Sequence, residues 1–223
     1  MPGVATHVVQ TGKDGREVFW EADDFKTYLE SLKKASRSYG CEVHAYTLLP
    51  NRVHILVTPE EDDSISRMIQ YIGRYYVPYF NSKYDTKGSL WSGRYKASII
   101  HEKAYLLKTM CFIESQPVKE GIVSHPGEHN WSSYGCNANA EFDVVIRPHP
   151  LFLSLGESTV IRCEHYKRLF DHRIDQEEAE LIQYAWKSGT PLGEYDFLRH
   201  VEKELDTKVG YYRQGRPKKA MMA

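Results

Sequence analysis

Two basic side chains stand two residues apart in an apolar stretch, and their spacing suggests shared chemistry. Arg52 and His54 lie within Leu49–Val57, which reads Leu-Pro-Asn-Arg-Val-His-Ile-Leu-Val. The apolar residues predict two strands separated by a break at Pro50 and Asn51. Because residues two apart in a strand share a face, we expect Arg52 and His54 to point together towards an open face of a sheet. A cationic pair there would favour the binding of phosphate.

The segments around this stretch follow the order strand, helix, strand, strand, helix, strand, helix. Apolar residues recur with the helical or the strand period, and polar caps and glycines bound the segments. The predicted segments are a strand at 6–10, a helix from Asp23 or Asp24 to Gly40, strands at 42–49 and 52–57, a helix that is capped at 62–64 and kinked or ended by Pro78, a strand at 95–100, and a helix at 103–115. This order predicts an α+β fold with an antiparallel sheet of the ferredoxin-like, split-βαβ type.

Length and composition favour one domain with an added segment. The chain has 223 residues, of which 41% are apolar, enough for a substantial core. We predict a domain at 1–140, a helical subdomain at 141–206 with helices at 164–170, 176–187 and 194–205, and a flexible basic tail at 207–223. Neither a membrane span nor a signal peptide is expected, and the four cysteines lack zinc-ligand spacing, which predicts a soluble cytoplasmic protein with free thiols (Cys41, Cys111, Cys136 and Cys163).

Charge is distributed unevenly along the chain. The formal net charge is −1, but residues 65–120 and 207–223 each carry +5, whereas residues 157–206 carry −5. Both basic segments also contain aromatic residues, a combination typical of nucleic-acid binding. The sequence therefore favours a nucleic-acid partner over a membrane surface.

Several short motifs, in a fixed order over about the first 135 residues, resemble one known family. These motifs are Pro50–Val57, Tyr71–Tyr76 with Tyr79–Asn81, Leu90–Lys96, Pro117–Val123 and Trp131–Tyr134. In them the chain resembles the REP-associated tyrosine transposases and the small IS200-like insertion-sequence transposases, which are single-tyrosine HUH nucleases. The resemblance implies attack of a tyrosine hydroxyl on a DNA phosphodiester, giving a 5′-phosphotyrosine, with two strand histidines holding Mg²⁺ or Mn²⁺.

The chain departs from this family in both chemical parts of the implied site. Arg52 occupies the position of the first metal-binding histidine, and Phe112 occupies the nucleophile position, five residues before Pro117. His54 and Gln116 remain as implied metal ligands, but a guanidinium offers only donors, so the site is incomplete and a divalent metal is expected to bind weakly or not at all. An engineered tyrosine-to-phenylalanine change would not explain Arg52. We interpret the chain as a transposase body that retains DNA binding without cleavage by the family mechanism.

The matched motifs also imply a set of DNA contacts. The implied partner is hairpin or palindromic DNA with a single-stranded flank, and the protein is expected to be nucleoid-associated. Its tail contains a Gly-Arg-Pro segment that resembles an AT-hook, a minor-groove reader. The predicted DNA-binding residues are Arg52, Arg74, Tyr75, Trp91, Arg94, Lys96, Arg213, Arg216, Lys218 and Lys219. The sequence supports two interpretations of His54 equally, a phosphate contact and an ordinary core histidine.

Alternatives remain open at this point. The protein could be an active transposase in which another tyrosine is the nucleophile, with Tyr71, Tyr75, Tyr76 or Tyr105 as candidates, although each also fits a core or base-stacking role. It could instead be a sheet-based RNA-binding module, although the aromatic sheet signature of such modules is missing. The family that the chain resembles includes both monomers and dimers, so a homodimer is one of the two expected assemblies.

Overall fold

The computed structural model describes residues 1–171, 175–206 and 208 of the chain. The strands in this part are β1 (Thr6–Thr11), β2 (Cys41–Leu49), β3 (Arg52–Pro59) and β4 (Lys96–Ile99). The helices are α1 (Ala22–Ser38), α2 (Ser64–Tyr84), α3 (Glu102–Glu114), α4 (Gln116–Lys119), α5 (Tyr134–Asn139), α6 (Pro150–Leu153), α7 (Thr159–Asp171), α8 (Gln176–Ser188) and α9 (Tyr195–Leu205). In the described ranges, no helix is both long enough and apolar enough to cross a membrane.

The four strands form one antiparallel sheet in the order β2-β3-β1-β4. β2 and β3 are a hairpin that turns at Pro50 and Asn51, and β1 pairs with both β3 and β4. In this register Arg52 lies opposite Thr11, and His54 lies opposite Val9. The predicted α+β fold with an antiparallel sheet is confirmed, as are the positions of all four strands to within two residues.

Helices cover both faces of the sheet. On one face, α1 and α2 pack on strand residues such as Val8, Val53 and Ile55. On the other face, α3 and the later helices pack on Val9 and Leu56. The segment after residue 140 shares this second core, to which it contributes Phe152, Tyr166, Ile182 and Trp186. Each strand therefore sends alternate side chains into two different cores.

Two prolines test the predicted helix boundaries. Pro78 does not end α2, which continues to Tyr84, so that of the two predicted alternatives, a kink or an end, the end was wrong. A proline inside a helix removes one backbone donor, and the exposed position of Pro78 allows water to satisfy the carbonyl left without a partner. The predicted end of the third helix before Pro117 is confirmed, because α3 ends at Glu114; Pro117 lies in the first turn of the short helix α4.

A buried carboxylate fixes the start of α1 to the end of α2. Glu21 is the N-cap, and Asp24, three residues on, completes a capping box by accepting hydrogen bonds from backbone N–H groups. Burial alone would raise the pKa of Asp24, but the hydrogen bond from Lys83 and the other donors hold it below its usual value. The groups that donate hydrogen bonds to the Asp24 carboxylate are the backbone N–H groups of Trp20 and Glu21, the hydroxyls of Tyr79 and Tyr84, and the Lys83 ammonium.

Replacing this carboxylate is expected to destabilise the fold. Asp24→Ala leaves several donors without an acceptor, and we expect the free energy of unfolding to fall by about 2–3 kcal/mol. Asp23→Ala is the matched control, because Asp23 is exposed and its carboxylate pairs with Lys26 on the surface. Urea unfolding of both variants measures the difference, and equal stability would contradict a structural role for Asp24.

Candidate functional site: an altered catalytic centre covered by a helix

The centre is formed by β3 and its neighbour β1. Arg52 and His54 share a face of β3, as predicted, and Val53 and Ile55 point into the opposite core. That face is not open, however, and this expectation was wrong. α3 and α8 lie over it, and the exposure of His54 is 0%.

His54 is paired with a second histidine from the adjacent strand. His7 on β1 is also fully buried, and its Nε2 lies 3.0 Å from Nδ1 of His54, so that one ring donates a hydrogen bond to the other. Burial lowers the pKa of His7 to about 3. Burial, the repulsion that His7 would exert if both rings were protonated, and the positive charges of Arg52 and Lys119 hold the pKa of His54 well below its usual value. Both imidazoles are therefore neutral at physiological pH. His7 did not figure in the sequence analysis, because its pairing depends on the strand register.

Helix α3 brings the predicted nucleophile position to this pair. The ring centroid of Phe112 lies 6.3 Å from that of His54 and 6.1 Å from that of His7. The phenyl ring thus lies beside the imidazoles, in the part of the site where the resemblance places a tyrosine. A phenyl ring carries no hydroxyl, so this position cannot supply a nucleophile.

Arg52 is held by a carboxylate from the segment that follows α4. Its guanidinium makes an ion pair with Glu120 and lies 5.9 Å from the ring centroid of Trp186. Partial burial lowers the pKa of Arg52, but a guanidinium remains charged at physiological pH. A phosphate that reached Arg52 would have to compete with Glu120.

The remaining groups do not fit a divalent metal. Gln116 is buried, and its side-chain amide donates to the carbonyl of Phe112 at 2.9 Å. Nδ1 of His54 is engaged by His7, and its Nε2 has no partner in the structure. In the described ranges, no group of three or more histidine, cysteine, aspartate or glutamate side chains is arranged to hold a metal. Within the described residues, two imidazole nitrogens of the centre have no hydrogen-bond partner, Nδ1 of His7 and Nε2 of His54. Two such nitrogens beside a guanidinium are a poor donor set for Mg²⁺ or Mn²⁺.

Trp186 on α8 covers the centre. Its ring meets that of His54 edge to face, with the centroids 5.6 Å apart, and only 6% of its surface is exposed. The sequence predicted α8 but not the target of its apolar face. A tryptophan in a helix with several acidic residues was the available signal, since so large an apolar ring is seldom left on a surface.

Strand-like contacts attach the α8 region to the free edge of β4. The backbone N–H of Leu192 donates to the Ile99 carbonyl at 2.8 Å, and Leu192 in turn accepts from the N–H of His101. The Ser98 hydroxyl donates to the Thr190 carbonyl at 2.6 Å. These bonds protect an edge strand and fix the position of Trp186 over the sheet.

The predicted DNA contacts fall into two separate places. Arg94 and Lys96 are exposed at the end of the sheet where β3 begins at Arg52, although the Lys96 ammonium also donates to the Lys187 carbonyl at 2.6 Å. Arg74 and Tyr75 are exposed on α2, in the opposite helical layer. The Tyr75 ring contacts that of Tyr71 in a tilted arrangement, and Tyr71 contacts Tyr39, near the other end of the sheet.

Trp91 is a correction to the predicted set. Its ring is only 6% exposed and packs near Tyr28 and Tyr76 in the core. A ring buried in this way cannot stack on a nucleobase. The tail residues Arg213, Arg216, Lys218 and Lys219 lie outside the described residues.

The alternative tyrosines are not beside His54. Tyr71, Tyr75 and Tyr76 belong to α2, which packs on the other face of the sheet. Tyr105 shares α3 with Phe112, but seven residues separate them, about 10 Å along the helix axis. None of the four occupies the position next to the imidazoles.

Fold and centre together are those of a single-tyrosine transposase domain with altered chemical groups. A family model described as "Transposase IS200 like" matches residues 2–116, and the chain belongs to this family. A REP-associated tyrosine transposase assigned in Haemophilus influenzae is 26% identical over 130 residues, which cover 53% of this chain and 73% of the relative. A solved structure of a REP-associated tyrosine transposase bound to a REP hairpin matches with a TM-score of 0.54 and 19% identity, covering 67% of this chain and 88% of that one.

Proposed function

We propose that this protein binds hairpin or palindromic DNA with a single-stranded flank and does not cleave it by the family mechanism. The observation that carries the proposal is the position of Phe112, next to His54, where the family reaction requires a hydroxyl. Arg52, Glu120 and Trp186 fill the rest of the centre. The protein would then act as a DNA-binding member of its family, on chromosomal DNA in the cytoplasm.

Family membership and charge support a DNA partner. The solved relative was bound to a REP hairpin, and the segment 65–120 carries a net charge of +5. Exposed Arg94 and Lys96 adjoin Arg52 at the same end of the sheet. DNA phosphates placed along this end would meet several cations.

A small cleft beside the centre is suited to one phosphate. It has a volume of about 220 Å³, and Arg52, Lys119 and Lys187 contribute cations to its lining. Glu120 also lines the cleft and pairs with Arg52. A bound phosphate would therefore replace the Glu120 carboxylate as the partner of Arg52. Arg52 would therefore act as a phosphate contact in place of a metal ligand.

We propose that a divalent metal has no role in this binding. The centre offers two imidazole nitrogens without a hydrogen-bond partner, and the Glu120 carboxylate beside it is engaged by Arg52. Within the described ranges, no three histidine, cysteine, aspartate or glutamate side chains are grouped to hold a metal. DNA affinity should then be the same in Mg²⁺, in Mn²⁺ and in EDTA at matched ionic strength. A metal-dependent affinity at matched ionic strength would contradict this part of the proposal.

Binding and cleavage are tested in the same tubes. The protein is incubated with labelled hairpin oligonucleotides that carry a single-stranded flank, with and without Mg²⁺ or Mn²⁺, and is run on native and denaturing gels. We expect a native shift, uncut DNA and no covalent adduct, because Phe112 cannot form a phosphotyrosine. RNA of the same sequence is the competitor that tests for an RNA-binding module, and we expect it to compete poorly.

Two results would overturn the proposal in different ways. A metal-dependent covalent adduct with the unaltered protein would show an active transposase, and peptide mapping would identify the tyrosine. The absence of any shift at low salt would refute DNA binding itself. Arg52→Ala is expected to weaken binding and to reduce its salt dependence by about one phosphate contact.

A further inference from the structure

We propose that a pocket beside Trp20 binds one unpaired nucleotide of the DNA flank. This inference rests on the proposed function and locates the single-stranded part of the partner. The pocket, here called the Trp20 pocket, has a volume of about 350 Å³, room for a base and its sugar. Residues that line it include Lys13, Arg16, Trp20, Asn81, Lys87 and Leu90.

Trp20 presents an aromatic surface to solvent while its other side is supported. The residue is 54% exposed. Its ring lies 4.3 Å from that of Tyr84 and 5.2 Å from that of Phe80, centroid to centroid. A large ring held in one position and left half exposed is suited to stacking on a base, because little conformational freedom is lost on binding.

The two walls of the pocket are fixed by hydrogen bonds. The backbone N–H of Lys13 donates to the Leu90 carbonyl at 2.9 Å, which joins the loop after β1 to the loop before β4. The side-chain amide of Asn81 donates to the Gly88 carbonyl at 3.1 Å, and its oxygen accepts from the Thr86 hydroxyl. A cavity with walls held in this way is largely preformed for a ligand.

The charges around the pocket suit a nucleotide. Lys13, Arg16 and Lys87 are exposed, and none of them forms an ion pair within the part of the chain that the structure describes. Glu17 supplies an acceptor in the lining. The three cations can contact the phosphates on either side of the nucleotide, and Glu17 can accept a hydrogen bond from an amino group on the base.

The position of the pocket continues the proposed phosphate site. The loop that contains Lys13 and Trp20 follows β1, and the N–H of Gly12 donates to the carbonyl of Asn51, next to Arg52. The loop at 85–95 closes the other side and ends at β4, near Lys96. A DNA strand that passes Arg52 at this end of the sheet can therefore reach Trp20 without crossing the body of the protein.

The experiment compares two DNAs and a small set of variants. One DNA is a blunt hairpin, and the other is the same hairpin with a single-stranded flank. Trp20→Ala is expected to weaken binding of the flanked hairpin roughly 5- to 100-fold, the loss typical of one base stack, and to leave binding of the blunt hairpin unchanged. Trp20→Phe should restore most of the affinity. Phe142→Ala, which removes another exposed aromatic ring, is the matched control and should change neither affinity.

Abasic substitutions in the flank locate the nucleotide. If one base stacks on Trp20, a single abasic position should weaken binding of the unaltered protein and have no further effect on Trp20→Ala. Lys87→Ala should reduce the salt dependence for the flanked hairpin only, whereas Lys34→Ala, on the outer face of α1, should not.

The outcomes separate this inference from the proposed function. If both hairpins bind the unaltered protein and Trp20→Ala binds each of them equally well, the pocket inference is wrong and DNA binding stands. If Trp20→Ala weakens both hairpins equally, the pocket is not specific for the flank, and the inference is again overturned. If neither hairpin binds the unaltered protein, the proposed function itself fails. Circular dichroism of each variant confirms that the fold is intact.

Discussion

The double variant Arg52→His/Phe112→Tyr restores the two missing chemical groups. We nonetheless expect it not to cleave DNA as long as Trp186 covers His54. The double variant regains a second strand imidazole and a tyrosine hydroxyl. His54 is nonetheless 0% exposed, and the Trp186 ring centroid lies 5.6 Å from its own. A phosphodiester must reach the nucleophile in line, and a metal must reach both imidazoles, before the reaction can proceed. Neither can approach through the indole ring.

Adding Trp186→Ala to this double variant is expected to give metal-dependent cleavage and a covalent adduct. The measurement is a denaturing gel of labelled hairpin DNA incubated with Mn²⁺. Trp186→Ala alone is the control, and it should form no adduct because Phe112 remains. An adduct formed by the double variant with Trp186 intact would show that α8 does not block the centre.

The stability of the triple variant needs its own control. Removing a buried tryptophan typically costs about 3–5 kcal/mol of unfolding free energy, so Trp186→Leu provides a milder way to uncover His54. The change at Arg52 frees Glu120, whose side chain is 31% exposed and can be hydrated. Thermal unfolding of each variant should therefore show a folded protein at the assay temperature. A difference in cleavage between the variants can then be assigned to the access of DNA and metal to His54.

Local patterns were sufficient to predict much of the fold and part of the site. The strand period placed Arg52 and His54 on one face, and the helix period predicted α3. The resemblance to the family's motifs, and not the period, identified Arg52 as the first histidine position and Phe112 as the nucleophile position. The structure then places Phe112 beside His54.

Long-range packing accounts for what the sequence did not predict. His7 meets His54 only because β1 pairs with β3 in one particular register. Trp186 reaches the centre because the segment after α8 pairs with the edge of β4. Trp91 was expected to stack on DNA because it stands in a loop next to basic residues, but neighbouring aromatic side chains enclose it in the core. Whether an aromatic ring is exposed is decided by these tertiary contacts.

Buried neutral histidines make the fold sensitive to acid. Burial lowers the pKa of His7 to about 3 and that of His44 to about 4, and it holds the pKa of His54 well below 6.5. The unfolded chain binds protons at these sites near pH 6.5, whereas the folded chain does not. Each histidine therefore contributes stability that is present above pH 6.5 and is lost as the pH falls. The lowered pKa of His129 acts in the same direction.

Glu114 opposes this trend. It is fully buried and accepts hydrogen bonds from Ser133, Asn137 and Tyr166, which lower its pKa, but burial dominates and raises the pKa to about 7 from 4.5. The folded state therefore holds a proton that the unfolded state releases above pH 4.5. The stability that this proton contributes is complete below pH 4.5 and is lost as the pH rises through 7.

We therefore expect Glu114→Gln to make the protein more sensitive to acid. Between pH 6.5 and pH 5, His7 and His44 together cost about 3 kcal/mol of unfolding free energy, to which His54 and His129 add in the same direction, whereas Glu114 offsets about 2 kcal/mol. The glutamine cannot titrate, so its variant should lose about 2 kcal/mol more than the unaltered protein over the same range. Urea unfolding at half-unit pH intervals measures both curves. Parallel curves for the two proteins would show that Glu114 is ionised in the folded state throughout this range, which would contradict the raised pKa that its burial predicts.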